Sequence, residues 1–134
     1  MRVLRLALTG FRSYEALELA LPPGPQVVVG GNAAGKTNLI EALVILARGA
    51  SHRTSTDADL VRWAAPFARL EADVAHGAVR GDDRLEVAIE RSGSASARKR
   101  LRVNGVGRRA AGLGEGLRVV LFAPEEMLLV AGSP

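Results

Sequence analysis

A short stretch near the start of the chain has the residue types and spacing of a phosphate-binding loop. Gly30 to Thr37 read G-G-N-A-A-G-K-T, a full match to the pattern G-x-x-x-x-G-K-[ST]. Glycine lets the backbone approach a phosphate without a Cβ clash, and successive N–H groups then converge on an anion. In this pattern Lys36 reaches the β- and γ-phosphates, and the Thr37 hydroxyl is a ligand for Mg²⁺. The spacing predicts a nucleoside triphosphate site.

Two predicted elements position this loop. Gln26 to Val29 contains a β-branched apolar run that predicts a buried strand, and Asn38 to Arg48 is apolar without Gly or Pro, which predicts a helix. Because a strand precedes the loop and a helix follows it, a chance glycine-rich turn is the less favoured interpretation. The residues that we assign to the nucleotide are Gly30, Gly31, Asn32, Ala33, Ala34, Gly35, Lys36, Thr37 and Asn38.

The bulk composition indicates one domain with a sizeable core. The chain has 134 residues, of which 48% are hydrophobic, and it has no cysteine for a disulfide or a thiolate metal site. No apolar run is long enough to cross a membrane, and arginines interrupt the first residues where a signal peptide would be apolar. We therefore expect a soluble, cytoplasmic protein.

The net charge points to a polyanionic partner. The formal charge is +4 and the pI is about 10.6, almost entirely from arginine, although an arginine-rich composition also fits a GC-rich genome. The alternative is a solvated, charged hairpin face, and no aromatic residue is interleaved with these cations for base stacking. The candidate DNA-contacting residues are Arg91, Arg98, Lys99, Arg100, Arg102, Arg108 and Arg109.

The remaining elements predict an α/β fold with a mixed sheet and an antiparallel meander. Asn104-Gly105 is a strong signal for a two-residue hairpin. A short helix is predicted over Ala58 to Trp63, with Trp63 packed against the core, and His76 is predicted to be solvated. Alternation or apolar runs predict further strands at Arg2–Leu8, Glu15–Leu21, Phe67–Ala75, Leu85–Arg91, Arg98–Val103 and Leu117–Ala123, and a short helix opens at Pro124.

Parts of the machinery for hydrolysis have no counterpart in the sequence. Phosphoryl transfer also needs a metal-holding acid and a group that positions water. No later apolar run ends in the Asp of a Walker B strand. We therefore expect the chain to be the N-terminal portion of a larger protein, able to bind ATP without hydrolysing it efficiently.

Five pieces of the sequence, in this order, resemble the RecF family of bacterial DNA replication and repair proteins. They are Phe11–Tyr14 (FRSY), Gly35–Ala42 (GKTNLIEA), Ser51–Thr54 (SHRT), Arg102–Gly105 (RVNG) and Val120–Glu126 (VLFAPEE). The resemblance covers the whole chain.

The resemblance implies lobe I of a P-loop NTPase head of the ABC/SMC type. Such heads form homodimers with ATP sandwiched between them, and the signature motif, Walker B and lobe II would follow Pro134. It also implies DNA binding at gaps and single-strand/duplex junctions, cooperation with RecO and RecR to load RecA, a part in the SOS response, and slow ATP hydrolysis. Arg12 matches an arginine near the nucleotide, and Glu125 and Glu126 fall near the place of the Q-loop.

Three other functions remain open at this level. The chain can belong to another SMC-like ATPase head. It can be a small-molecule P-loop kinase, although the two strands before the loop and the basic meander argue against this. It can also be an interaction module with a vestigial loop, against which the intact Lys36 and Thr37 argue.

Overall fold

The structure is a computed structural model that describes residues 2–22, 36–77, 81–93 and 96–109. Six strands form one antiparallel sheet in the order β2-β1-β3-β4-β5-β6. The elements are β1 (Arg2–Phe11), β2 (Tyr14–Ala20), α1 (Lys36–Arg48), a 3-10 helix (Asp57–Leu60), β3 (Phe67–Ala75), β4 (Asp82–Arg91), β5 (Ala97–Val103) and β6 (Val106–Arg108). The predicted strands at Gln26–Val29 and Leu117–Ala123 and the helix opening at Pro124 lie outside the described residues.

The core lies between one face of the sheet and α1. Strands β3 and β4 alternate buried and more exposed residues, as expected when every second side chain faces the core. Helix α1 packs against both strands, and its Ala42, Val44, Ile45 and Leu46 are fully buried. The other face of the sheet carries charged side chains. The antiparallel meander from Phe67 to Arg109 is confirmed, and α1 packs on its strands β3 and β4.

Strand β1 is longer than predicted. The sequence predicts a strand that ends at Leu8, before the turn-forming pair Thr9-Gly10, but the strand continues to the fully buried Phe11. Gly10 has φ of 59°, and a Cβ placed there would lie 2.3 Å from the carbonyl oxygen of Phe67. The glycine therefore permits a kink and a close backbone approach inside the strand instead of ending it.

The segment from Asp57 to Phe67 differs from the prediction. Its helix is a single 3-10 turn, because the chain leaves it at Val61 to form a β-bridge with Phe11. Ala64 then takes a left-handed conformation with φ of 69°. This turn leaves Trp63 86% exposed, so the predicted packing role for that side chain is wrong in the described part of the chain.

The hairpin between β5 and β6 is confirmed. Asn104 and Gly105 have φ of 52° and 81°. A two-residue hairpin turn requires positive φ at both residues to match the right-handed twist of its strands. The Asn104 side chain also accepts a hydrogen bond from the backbone N–H of Arg84 and donates one to Asp83. Nearby, the His76 side chain is only 6% exposed and lies 3.2 Å from Asp83, so its predicted solvation is wrong.

Candidate nucleotide site and nucleic-acid interface

The described part of the predicted loop is its last portion, at the amino end of α1. The helix begins at Lys36, two residues before the predicted start, and Thr37 is exposed in its first turn. Gly30 to Gly35 lie outside the described residues, so their assignment to the nucleotide stays a prediction. An exposed threonine at this end of a helix fits a metal-ligating hydroxyl, because the helix dipole and free N–H groups attract the phosphates that carry the metal.

A fully buried carboxylate lies below this helix end. Glu41 has no exposed surface, and it accepts two parallel hydrogen bonds from Arg12, from Nε at 2.9 Å and from Nη2 at 3.0 Å. Arg53 Nη1 donates to the same carboxylate at 3.1 Å, and Ser51 Oγ donates at 2.5 Å. The structure thus brings Arg12, which is remote in sequence, to the first turns of the loop helix.

The second arginine is also tied to the start of α1. Arg53 Nη1 donates to Asn38 Oδ1 at 2.8 Å, and Asn38 Nδ2 donates to Ser13 Oγ at 3.0 Å. Ser51 Oγ accepts the backbone N–H groups of Arg53 and Thr54, which holds this loop in one conformation. We call Arg12, Asn38, Glu41, Ser51 and Arg53 the Glu41 cluster.

The Glu41 cluster keeps its carboxylate ionised. Burial by itself works to raise the pKa of Glu41, but hydrogen bonds from Arg12 and Ser51 and the charges of Arg12 and Arg53 outweigh it. The pKa of Glu41 is therefore lower than the ordinary 4.5. Two guanidinium groups and one carboxylate leave the cluster with a net positive charge beside the helix end.

Arg12 is held in place by its backbone as well. Its φ of 51° lies in the left-handed region that non-glycine residues rarely adopt. The backbone N–H of Arg12 donates to the carbonyl of Leu60 at 3.0 Å, and that of Arg62 donates to the carbonyl of Gly10 at 2.7 Å. Such strain persists where the surrounding structure fixes it, and it often marks functional sites.

Sequence reasoning missed Glu41 and Ser13. The available signal was a single acidic residue inside an otherwise apolar helix, since a charge on a buried face needs a partner. Ser51 and Arg53 both contact Glu41, while His52 lies on the exposed side of the same loop. Burial, together with the charges of Arg53 and Arg48, lowers the pKa of His52, and Glu41 acts in the opposite direction.

The candidate DNA-contacting residues divide into two groups. Arg91 donates to the carbonyls of Ala58 and Val61, and Lys99 pairs with Asp57 at 3.3 Å, so both are engaged inside the fold. The others are exposed on β5, on β6 and just after it, and we call them the arginine surface: Arg98, Arg100, Arg102, Arg108 and Arg109.

The arginine surface differs from the neighbouring strands in the ion pairs that its arginines form. Arg5, Arg69 and Arg84 on β1, β3 and β4 form ion pairs with carboxylates on the same face of the sheet. Within the segments that the structure describes, no carboxylate pairs with an arginine of the arginine surface. Four of its members line an open groove of about 780 Å³. Their cationic groups are therefore available to solvent anions.

One aromatic ring lies beside these cations. Phe67, at the start of β3, is 43% exposed and lines two small grooves of about 320 and 210 Å³. Arg100 lines both grooves, because β4 places the two side chains on the same face of the sheet. The sequence separation of Phe67 from the arginines concealed this proximity.

The described residues contain neither a metal-ligating cluster nor a long apolar helix. Among residues 2–22, 36–77, 81–93 and 96–109, no group of three or more His, Asp or Glu residues could hold a metal ion. No helix in these same segments is long and apolar enough to cross a membrane.

Comparison with solved structures identifies the class of fold. A structure described as the recombination mediator protein RecF-ATPrS in the RecFOR pathway has a TM-score of 0.79 and 27% identity, covering 92% of this chain and 32% of that chain. The SMC head domain from Thermotoga maritima has a TM-score of 0.69 at 19% identity, over 90% of this chain and 43% of that chain, which shows the fold alone. The fold is therefore that of the P-loop heads of RecF and SMC proteins.

Sequence comparison gives the family. A family profile described as AAA domain matches residues 5–118. The DNA replication and repair protein RecF of Acidothermus cellulolyticus is 48% identical over 135 residues, covering 100% of this chain and 35% of that protein. RecF of Halalkalibacterium halodurans is 42% identical, covering 100% and 34%. The chain belongs to the AAA domain family and is similar to the N-terminal part of RecF. It spans about a third of the length of these relatives.

Proposed function

We propose that this chain is the nucleotide-binding lobe of an ATP-dependent DNA-binding protein of DNA replication and recombinational repair. The observation that carries the proposal is the Glu41 cluster, which holds two arginines at the amino end of the helix that begins at Lys36. A helix end with an added net positive charge attracts a polyphosphate. Similarity to RecF supports the choice of process.

In this proposal the residues of the loop and those of the Glu41 cluster have different roles in binding ATP. Backbone N–H groups of Gly30 to Gly35 hold the phosphates, and Lys36 neutralises the β- and γ-phosphates. The Thr37 hydroxyl would hold Mg²⁺, which would neutralise part of the phosphate charge. Arg12 faces the nucleotide, and Asn38 orients the second arginine of the cluster.

We propose that ATP joins two copies of the full-length protein. In SMC-like heads the nucleotide is sandwiched between the loop of one subunit and the signature motif of the other. Slow hydrolysis then resets the homodimer. The RecF structures are named for the RecFOR pathway, which supports RecO and RecR as partners. The loading of RecA is the outcome that the resemblance to RecF implies. A cytoplasmic location and a part in the SOS response fit this assignment.

The arginine surface is the proposed contact with DNA. Contact with three or four phosphates gives a slope of about −3 to −4 when log affinity is plotted against log salt concentration. The exposed Phe67 beside Arg100 provides a ring on which an unpaired base can stack. One surface would therefore contact both duplex backbone and single strand, as binding at gaps and junctions requires.

Calorimetry with ATP and Mg²⁺ tests the nucleotide part of the proposal. We expect the full-length protein to bind ATP, and Lys36→Ala to weaken binding at least about tenfold, since a charge-assisted contact to phosphate is lost. Absence of binding heat for the unmodified protein would contradict the proposal. Full affinity in Lys36→Ala would favour the interaction module. ATP-dependent phosphate transfer to small acceptors would favour the kinase.

A further inference from the structure

Glu41 is the only fully buried charged residue in the part of the core that the structure describes. It belongs to no phosphate-contacting position of the loop pattern, which ends at Thr37. We propose that Glu41 is a positioning residue of the nucleotide site that acts through Arg12 and Arg53. This inference rests on the proposed ATP-binding function.

The hydrogen bonds to Glu41 require an ionised carboxylate at this position. Oε1 accepts from Arg12 Nε and Arg53 Nη1, and Oε2 accepts from Arg12 Nη2 and Ser51 Oγ. Four donors therefore point at two oxygens. An ionised carboxylate is the side-chain group that accepts at both ends without donating at either.

The same hydrogen bonds fix the positions of the two guanidinium groups. Arg12 and Arg53 share one carboxylate oxygen, so their guanidinium groups lie side by side although like charges repel. The negative charge between them offsets this repulsion, which is stronger at the buried end of the side chains than in water. Arg12 Nη1 and Arg53 Nη2 take no part in the bonds to Glu41.

The location of the cluster connects it to the phosphates. Arg53 is bonded to Asn38, and Asn38 is bonded to Ser13 next to Arg12, so a ring of contacts encloses the first turns of α1. Lys36 and Thr37 begin that helix. Glu41 thus holds two cations at the end of the helix where a triphosphate is expected, and the arginines themselves make the contact.

Two substitutions separate this role from a structural one. Glu41→Gln keeps the shape but places an NH₂ donor against donors. Glu41→Met fills a similar volume without polar atoms, and removing one partner of a buried ion pair costs stability only where the remaining charge stays buried. Arg12 and Arg53 are 22% and 35% exposed, so they can turn to solvent in the methionine variant.

The test is ATP affinity by calorimetry and thermal stability by circular dichroism, both on the full-length protein. We expect each Glu41 variant to weaken ATP binding about tenfold, within the range of couplings inside one hydrogen-bond network. The methionine variant should keep its melting temperature, so affinity and stability change independently. In the background Arg12→Ala/Arg53→Ala, Glu41→Gln should restore stability without restoring affinity.

The matched control is Val44→Ala, which removes buried volume one turn further along α1 without touching the arginines. It should lower stability and leave ATP affinity within about twofold. ATP affinity equal to the unmodified protein in a folded Glu41 variant would overturn the inference alone. So would recovery of affinity with stability in the triple variant. If the unmodified protein binds no ATP, the proposed function fails as well.

Discussion

Gly10 and Phe67 approach each other so closely that no side chain fits between them. A Cβ on Gly10 would stand 2.3 Å from the carbonyl oxygen of Phe67. This contact sets where β1 kinks before Phe11 enters the core and before Arg12 turns toward Glu41. A backbone contact on the sheet therefore determines the direction of a residue of the candidate nucleotide site.

Substitution of Gly10 tests this relationship. Gly10→Ala should lower the free energy of unfolding by about 2–4 kcal/mol, because it adds a clash with backbone to a positive φ of 59°. Urea unfolding measures the loss. Gly107→Ala is the matched control, since nothing lies within 4 Å of its Cβ, and it should change stability by less than about 0.5 kcal/mol. Equal effects of the two substitutions would contradict the assignment.

The ionisation of Glu41 predicts a dependence of stability on pH. Its pKa is lower in the folded protein than the ordinary 4.5, so its contribution is complete above about pH 4.5 and is lost as pH falls through the lower, folded value. The difference in unfolding free energy between the unmodified protein and Glu41→Gln should therefore shrink below about pH 4.5. Denaturant unfolding across this range measures it. Glu15→Gln, at an exposed position on β2, is the control, and a difference constant with pH would contradict the interpretation.

Asn104 contributes to stability through its side-chain hydrogen bonds and through its tolerance of a positive φ. Substitution can separate the two contributions. Asn104→Ala should lower the free energy of unfolding by about 1–2 kcal/mol, because it loses side-chain bonds to Arg84 and Asp83 and leaves alanine at φ of 52°. Asn104→Gly removes the same bonds but tolerates the backbone, so it should cost less. Thermal unfolding measures both variants. An Asn104→Gly variant less stable than Asn104→Ala would show that the turn conformation contributes nothing.

The arginine surface predicts how DNA affinity responds to salt. Arg100→Ala should weaken duplex binding and reduce the slope of log affinity against log salt by about one. Arg84→Ala is the matched control, because Arg84 is already bonded to Asp73 at 2.8 Å. Fluorescence anisotropy at several salt concentrations measures the slopes. An unchanged slope in Arg100→Ala would remove that residue from the interface.

The exposed ring of Phe67 predicts a preference for single-stranded over duplex DNA, which arginines alone cannot provide. Phe67→Ala should weaken single-strand binding by about 1–3 kcal/mol, since stacking on one base is lost, and leave duplex affinity nearly unchanged. Competition between single-stranded and duplex oligonucleotides measures the ratio. Phe67→Trp should preserve single-strand affinity. An equal loss for both kinds of DNA would show that the ring acts on the fold and not on bases.

Several parts of the fold could be predicted because their signals are local. The alternation in β3 reproduces its observed bounds, and Asn104-Gly105 forms the expected hairpin. The failures occurred where a contact between distant residues, or an unusual backbone conformation, overrides the local signal. Gly10 suggested a break until Phe67 came close to it, and Trp63 suggested a core residue until the left-handed Ala64 turned it to solvent.

The sequence by itself determined the chemistry that this chain can offer: a G-K-T loop before an apolar helix, a meander of alternating strands, and an excess of arginine. Spacing along the chain suffices for these features because a helix turn and a strand pleat are local periodicities. Only the tertiary structure decided which charges are paired. Packing of α1 on the sheet placed Arg12 on Glu41. Antiparallel pairing placed Phe67 beside Arg100 and left the arginines of β5 facing solvent.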